Sequence, residues 1–178
     1  MSELGSIFRS FRPIFILLGI VIGLEIIFDR LLPNLLEDIR IKKKLNAGLK
    51  YRSDIELLHW LRSLKPWEFE EYIASLYSKL GYKTERVGGG YDGGVDVIAE
   101  KNNIKHYIQC KKYITSKVDV KDIREFYGVL VDHTAKGKGI FITTNVFTSE
   151  ADYFAQDKPI ELIDGQKLVR LIKQVNRL

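Results

Sequence analysis

Residues 88–112 read GGGYDGGVDVIAEKNNIKHYIQCKK. Glycines at 88, 89, 90, 93 and 94 form a turn that delivers Asp96 into a short apolar strand over 95–99. Lys101, Asn102 and Asn103 interrupt, and a second strand is expected over 105–111. Asn tolerates positive φ, so Asn102 and Asn103 suit the two central positions of a tight hairpin turn. That turn sets the register: 101 faces 104, 100 faces 105, and Asp96 faces Gln109. Lys111 shares the face of Gln109, because strand side chains alternate. Directly opposed Cβ atoms lie roughly 5 Å apart and diagonal ones about 7 Å apart. An acid, an amide oxygen and an ammonium thus gather in one patch. A carboxylate with a carbonyl oxygen suits a hard cation such as Mg²⁺, and a neighbouring Lys suits a phosphate or a polarised water.

The stretch resembles the Mrr-type restriction endonucleases, a branch of the PD-(D/E)xK nuclease superfamily. The Q-x-K element of that branch is matched by Gln109, Cys110 and Lys111, and its D-G-G-V-D by residues 92–96. Phe69-Glu70, Gly81-Tyr82, the run GIFITT over 139–144, and Ile163-Asp164-Gly165 complete an ordered set within residues 64–173. The resemblance implies an α/β, restriction-endonuclease-like sandwich with a central mixed sheet flanked by helices. It implies a Mg²⁺-dependent endonuclease, with Mn²⁺ as a substitute, acting on double-stranded DNA in defence against foreign or modified DNA. It assigns the metal to Asp96, Gln109 and the backbone carbonyl of Cys110. Glu70 joins that acidic shell directly or through water, and Lys111 stands beside the attacking water. Gln in place of the superfamily's commoner acid removes a negative charge, which makes Glu70 more important. A homodimer is compatible with this reading.

The chain has 178 residues, enough for one domain of ordinary size plus an appendage. Its net charge of +5 favours an anionic partner, either nucleic acid or an acidic membrane surface. A single Cys excludes an intramolecular disulfide. Cys110 alternates away from Gln109 and Lys111, so it reads as a packed core thiol. His59, His106 and His133 share no metal-ligand spacing. The sequence holds no G-x-x-x-x-G-K-[ST] loop, no C-x-x-C pair and no G-x-S-x-G elbow.

Residues 13–28, PIFILLGIVIGLEIIF, are apolar all round, which a lone surface helix cannot carry. Extended through Leu32, the run reaches the roughly 20 residues of a membrane span. It then takes in Glu25, Asp29 and Arg30, which suit the headgroup level. No small-residue cleavage site follows. An uncleaved N-terminal transmembrane helix is expected within 1–32, touching lipid through 13–32; the alternative is a helix buried in an oligomer or against the domain. Arg30, Arg40, Lys42, Lys43, Lys44, Lys50 and Arg52 follow the run, against Arg9 and Arg12 before it. That excess puts the C-terminal domain of a single-pass cell-membrane protein in the cytoplasm. A basic helical connector is expected over 33–52, with Asn34 and Glu37 as a capping pair. The catalytic domain then occupies 53–178.

Within that domain, Ser53 or Asp54 caps a helix running to Leu64. Pro66 opens the next helix and Gly81 ends it. Phe69, Ile73, Leu76 and Leu80 share one face of it, and Glu70 lies at the edge of that face. On its residues alone, Glu70 reads as a surface acid. A strand is expected over 82–87, and Asp92 reads as a turn residue or a supporting ligand. Ser116 and Asp119 fit a capping box, followed by a core stripe of Ile123, Phe126, Tyr127 and Leu130. Lys136 and Lys138 read as a basic loop before a buried strand over 140–144. Thr148 or Ser149 starts a helix through Ala155, and a short strand covers 160–163. Asp164 caps a last helix that packs Leu168, Leu171, Ile172 and Val175 inward. Two other functions fit much of this pattern. One is a catalytically inactive DNA- or partner-binding module of the same fold at the membrane. The other is a membrane assembly protein whose basic connector binds lipid.

Overall fold

The computed structural model describes residues 19–22, 39, 43, 53–87, 94–133 and 137–175. The chain divides into two units, Met1–Ala47 and Gly48–Leu178. In the first, residues 19–22 are helical, and Ile20, Val21 and Ile22 are exposed. The rest of the expected anchor, the Asn34–Glu37 cap, the Asp92 turn and Lys136 lie outside the described residues. Among the described residues, no helix is long and apolar enough to cross a membrane.

The second unit runs α1 (Asp54–Ser63), α2 (Pro66–Lys79), β1 (Lys83–Arg86), β2 (Val97–Lys101), β3 (Ile104–Lys111), α3 (Val120–His133), β4 (Lys138–Thr143), α4 (Ser149–Ala155), β5 (Ile160–Ile163) and α5 (Gly165–Val175). The five strands lie in sequence order. The pairs β1–β2 and β2–β3 are antiparallel, while β3–β4 and β4–β5 are parallel. The sheet is therefore mixed, with β3 at the junction. Helices α1, α2 and α5 cover one face, and α3 and α4 the other.

The hairpin between β2 and β3 has the expected turn, with φ of 54° at Asn102 and 61° at Asn103. Its register is also the expected one: Lys101 pairs with Ile104 and Val97 with Ile108. Helix α1 begins with a capping box in which Ser53 and Glu56 satisfy each other's backbone N–H groups. Gly81 closes α2 at a φ of 84°, a left-handed value that a side chain resists.

Several local expectations are corrected. The capping box before α3 is three residues later than Ser116 and Asp119. Asp119 Oδ1 accepts from the N–H groups of Lys121 and Asp122, and Asp122 returns a carboxylate oxygen to the N–H of Asp119. Val118 instead makes an isolated parallel bridge to Phe147, so the chain cannot turn helical before it. Lys138 is the first residue of β4 and not part of a loop. Leu80 and Leu171 are only half-buried, because each lies at the edge of its helix's packed face. The strand expected over 95–99 begins two residues later, at Val97.

The core has a layer on each side of the sheet. On the α3–α4 side, Val95, Phe126, Leu130, Phe141, Ala151 and Leu162 form one cluster, with Ile98 and Tyr107 packed against it. On the α2 side, Tyr77 stacks edge-on against Tyr82, which meets His106 of β3.

Candidate active site

The alternation of β2 breaks at Asp96. Val95 and Ile98, three residues apart, pack into the same cluster on the α3–α4 side. A regular strand would put them on opposite faces. The break is a bulge: the N–H of Asp96 donates to the carbonyl of Ile108, not to that of Gln109. The expected direct pairing of Asp96 with Gln109 is thus corrected by one position. The bulge re-aims the Asp96 side chain along the ladder, where Oδ2 accepts from the N–H of Cys110 at 2.6 Å. A carboxylate thereby takes the place of a strand carbonyl beside β3.

Gln109 is buried, and its Oε1 has no hydrogen-bond partner among the described residues. An orphaned buried acceptor costs about 1–3 kcal/mol, so this oxygen is suited to a ligand. Its amide is held against the backbone of Gly94. A Cβ at Gly94 would lie 2.5 Å from Gln109 Nε2, and Gly94 also has a φ of +92°. We expect Gly94→Ala to swing the Gln109 amide out of place as well as strain the turn. The expected cost is about 1–3 kcal/mol of stability, read by urea unfolding; an unchanged midpoint would mean that the turn does not constrain Gln109.

Lys111, two residues beyond Gln109, shares its face of β3 and is half-buried. No hydrogen bond or ion pair to its ammonium occurs among the described residues. The carboxyl ends of β3 and β4 around it are braced to α1. Lys112 Nζ donates to the carbonyls of Arg62 at 2.9 Å and Leu64 at 2.5 Å. The Arg62 guanidinium donates to the carbonyl of Thr144 at 2.8 and 3.2 Å. These contacts fix the strand ends, the place where sheets with parallel strands carry their sites.

Glu70 approaches from α2, near enough to Cys110 for its charge to act on that thiol beside Asp96. It is not a free surface acid. Its carboxylate lies 3.5 Å from Arg86 Nη1, and its side chain is 20% exposed. Arg86 also reaches Glu71, at 3.4 Å. Burial pushes the Cys110 thiol well above its usual range, and the charges of Asp96 and then Glu70 push it further. Cys110 therefore stays a neutral thiol with both carboxylates near it. Among the described residues, no three His, Cys, Asp or Glu side chains form a metal cluster. The donor set here is smaller in acid and includes an amide.

Sequence reasoning did not find the bulge, the cradle at Gly94, or Arg86. The doublet Gly93-Gly94 signals a turn but not a close approach to Gln109. No local signal marks Arg86.

A mixed sheet between helices, with Asp96, Gln109 and Lys111 on its antiparallel hairpin near the end of β3, is a restriction-endonuclease-like fold. The restriction endonuclease family model, that of the Mrr catalytic domain, matches residues 61–172, and the chain belongs to that family. The type IV methyl-directed restriction enzyme EcoKMrr of Escherichia coli (strain K12) is 36% identical over 141 residues, covering 72% of this chain and 46% of that protein. The chain thus spans about half the length of that relative. Two solved structures share the fold at 20% identity: the DNA modification-dependent restriction endonuclease AspBHI, with a TM-score of 0.57, and MspJI in complex with a 27-mer oligonucleotide, with 0.52. They cover 68% and 67% of this chain, and the chain covers 35% and 30% of theirs.

Proposed function

We propose that the chain is a divalent-metal-dependent endonuclease, tethered to the membrane through residues 13–32, that hydrolyses phosphodiester bonds in foreign or modified double-stranded DNA. The observation that carries this reading is the orphaned Oε1 of Gln109, two residues from Lys111 and next to the strand where the bulge aims Asp96. A carboxylate and an unpartnered amide oxygen fit Mg²⁺ or Mn²⁺. Asp96, Gln109 and the Cys110 carbonyl would hold the cation, with Glu70 in the surrounding acidic shell. The bound ion would supply Lewis acidity at the phosphoryl oxygen and a more acidic water.

The chain's own groups do the rest. The Cys110 N–H fixes one oxygen of Asp96 and so orients the carboxylate. Gln109 contributes a dipole and no charge, so the site holds a cation more loosely than two carboxylates would. The ammonium of Lys111 orients the attacking water and stabilises the charge that develops on the phosphoryl oxygens. Family membership and the methyl-directed relative support modified DNA as the target. The exposed apolar residues Ile20, Val21 and Ile22 support a tether. With the basic flank after it, the tether would leave the domain over 53–178 in the cytoplasm.

The test is plasmid cleavage by the full chain in detergent, with methylated and unmethylated DNA. Methylated plasmid should be cut with Mg²⁺ or Mn²⁺ and left intact with EDTA. Intact DNA under every condition would favour the inactive binding module. Full-length chain should also pellet with membranes and resist carbonate; recovery wholly in the soluble fraction would remove the tether.

A further inference from the structure

Arg86 is the last residue of β1 and pairs with Val97, the residue after Asp96. The next N–H, that of Val87, donates to the carbonyl of Asp96. Arg86 is thus joined through the ladder to the bulge that aims the site carboxylate. Its guanidinium lies between two acids of α2, 3.5 Å from Glu70 and 3.4 Å from Glu71. Both distances exceed those of a tight charged hydrogen bond, about 2.7–2.9 Å. One cation is shared loosely by two carboxylates and belongs to neither. The two acids differ in setting. Glu70 is 20% exposed and Glu71 42% exposed, with Arg86 at 38% between them.

We infer that Arg86 is the resting counter-ion of Glu70 and competes with the divalent cation for it. This rests on the metal-dependent reading above. A carboxylate facing a guanidinium must give up that attraction before its charge can serve a metal. Glu71 makes the exchange inexpensive, because it can keep the guanidinium when Glu70 turns away. Arg86 is in this account a positioning residue: it acts on the cation through Glu70 and touches neither cation nor DNA. A second consequence follows from the Gln at 109. With only Asp96 as a direct charged ligand, the share of Glu70 decides how tightly the ion is held, so its counter-ion sets the affinity of the site.

The test is Mn²⁺ titration calorimetry on the full chain in detergent, with parent, Arg86→Gln, Arg86→Lys, Glu70→Gln and the double variant Glu70→Gln/Arg86→Gln. Arg86→Gln should bind Mn²⁺ about fivefold more tightly, the upper end for a partly exposed ion pair. Arg86→Lys keeps the charge and should stay near the parent, which also reports that the position tolerates substitution. Glu70→Gln should bind more weakly. In the double variant the gain from Arg86→Gln should vanish, because it acts through Glu70. Unchanged or weaker binding by Arg86→Gln, with Glu70→Gln weakened, would overturn the inference alone. A gain that persists in the double variant would also overturn it, since the effect would then be general repulsion between cations. No Mn²⁺ binding by parent and Arg86→Gln alike would overturn the metal site itself and the inference with it.

Discussion

Asp96→Asn and Lys111→Met are each expected to lower DNA cleavage by about 10²-fold or more, as for loss of a main electrostatic stabiliser. Asn keeps the volume of Asp and an oxygen that accepts from the Cys110 N–H, so the bulge should survive. What is lost is one negative charge at the cation. Met keeps most of the Lys111 stem and deletes only the ammonium. The two residues lie on adjacent strands of one hairpin, so the changes strike one site. Groups that act as a unit are not additive, and the double variant should be little worse than either single. Single-turnover cleavage of methylated plasmid checks this. Multiplying effects would place the two residues in separate steps.

The largest effect on stability is expected at Phe141. It is fully buried in the middle of β4 and is the ladder partner of Gln109. Its ring meets Phe126 edge-on at 5.6 Å and Phe147 at 5.9 Å. Phe141→Ala removes both contacts and leaves a cavity, at a cost of about 3–5 kcal/mol. That is a large fraction of the roughly 5–15 kcal/mol that holds an ordinary domain together. Urea unfolding followed by Trp fluorescence measures it. A loss below about 1 kcal/mol would mean that the cluster collapses around the gap or packs less closely than its rings indicate.

The hairpin was readable from sequence because its determinants are local. Two Asn residues accept positive φ, the turn length fixes the register, and the register places Gln109 and Lys111. Helix caps at Ser53, Thr148 and Asp164 were readable for the same reason. The cap before α3 was not, because Asp119 competes with Ser116 and the Val118–Phe147 bridge, a contact across 29 residues by subtraction, decides the outcome. The bulge left no trace, since Val95-Asp96-Val97 alternates like any half-buried strand. The packing of Val95 on the α3–α4 side and the bond from the Asp96 N–H to the Ile108 carbonyl show that the backbone slips there. Glu70 lies at the edge of the α2 face, where helical spacing puts it, but its ion pair with Arg86 depends on β1 lying against α2, which no local pattern announces.

Asp96 and Lys111 are proposed to serve one site in different roles, one holding a cation and the other acting on the phosphate. Mn²⁺ calorimetry on the parent, Asp96→Asn and Lys111→Met tests it most directly, because it reads the cation without requiring cleavage. Asp96→Asn should bind the ion much more weakly, and Lys111→Met should bind it nearly as the parent does. Equal affinity in the parent and Asp96→Asn would contradict the account, for the carboxylate that the bulge aims at β3 would then hold no metal.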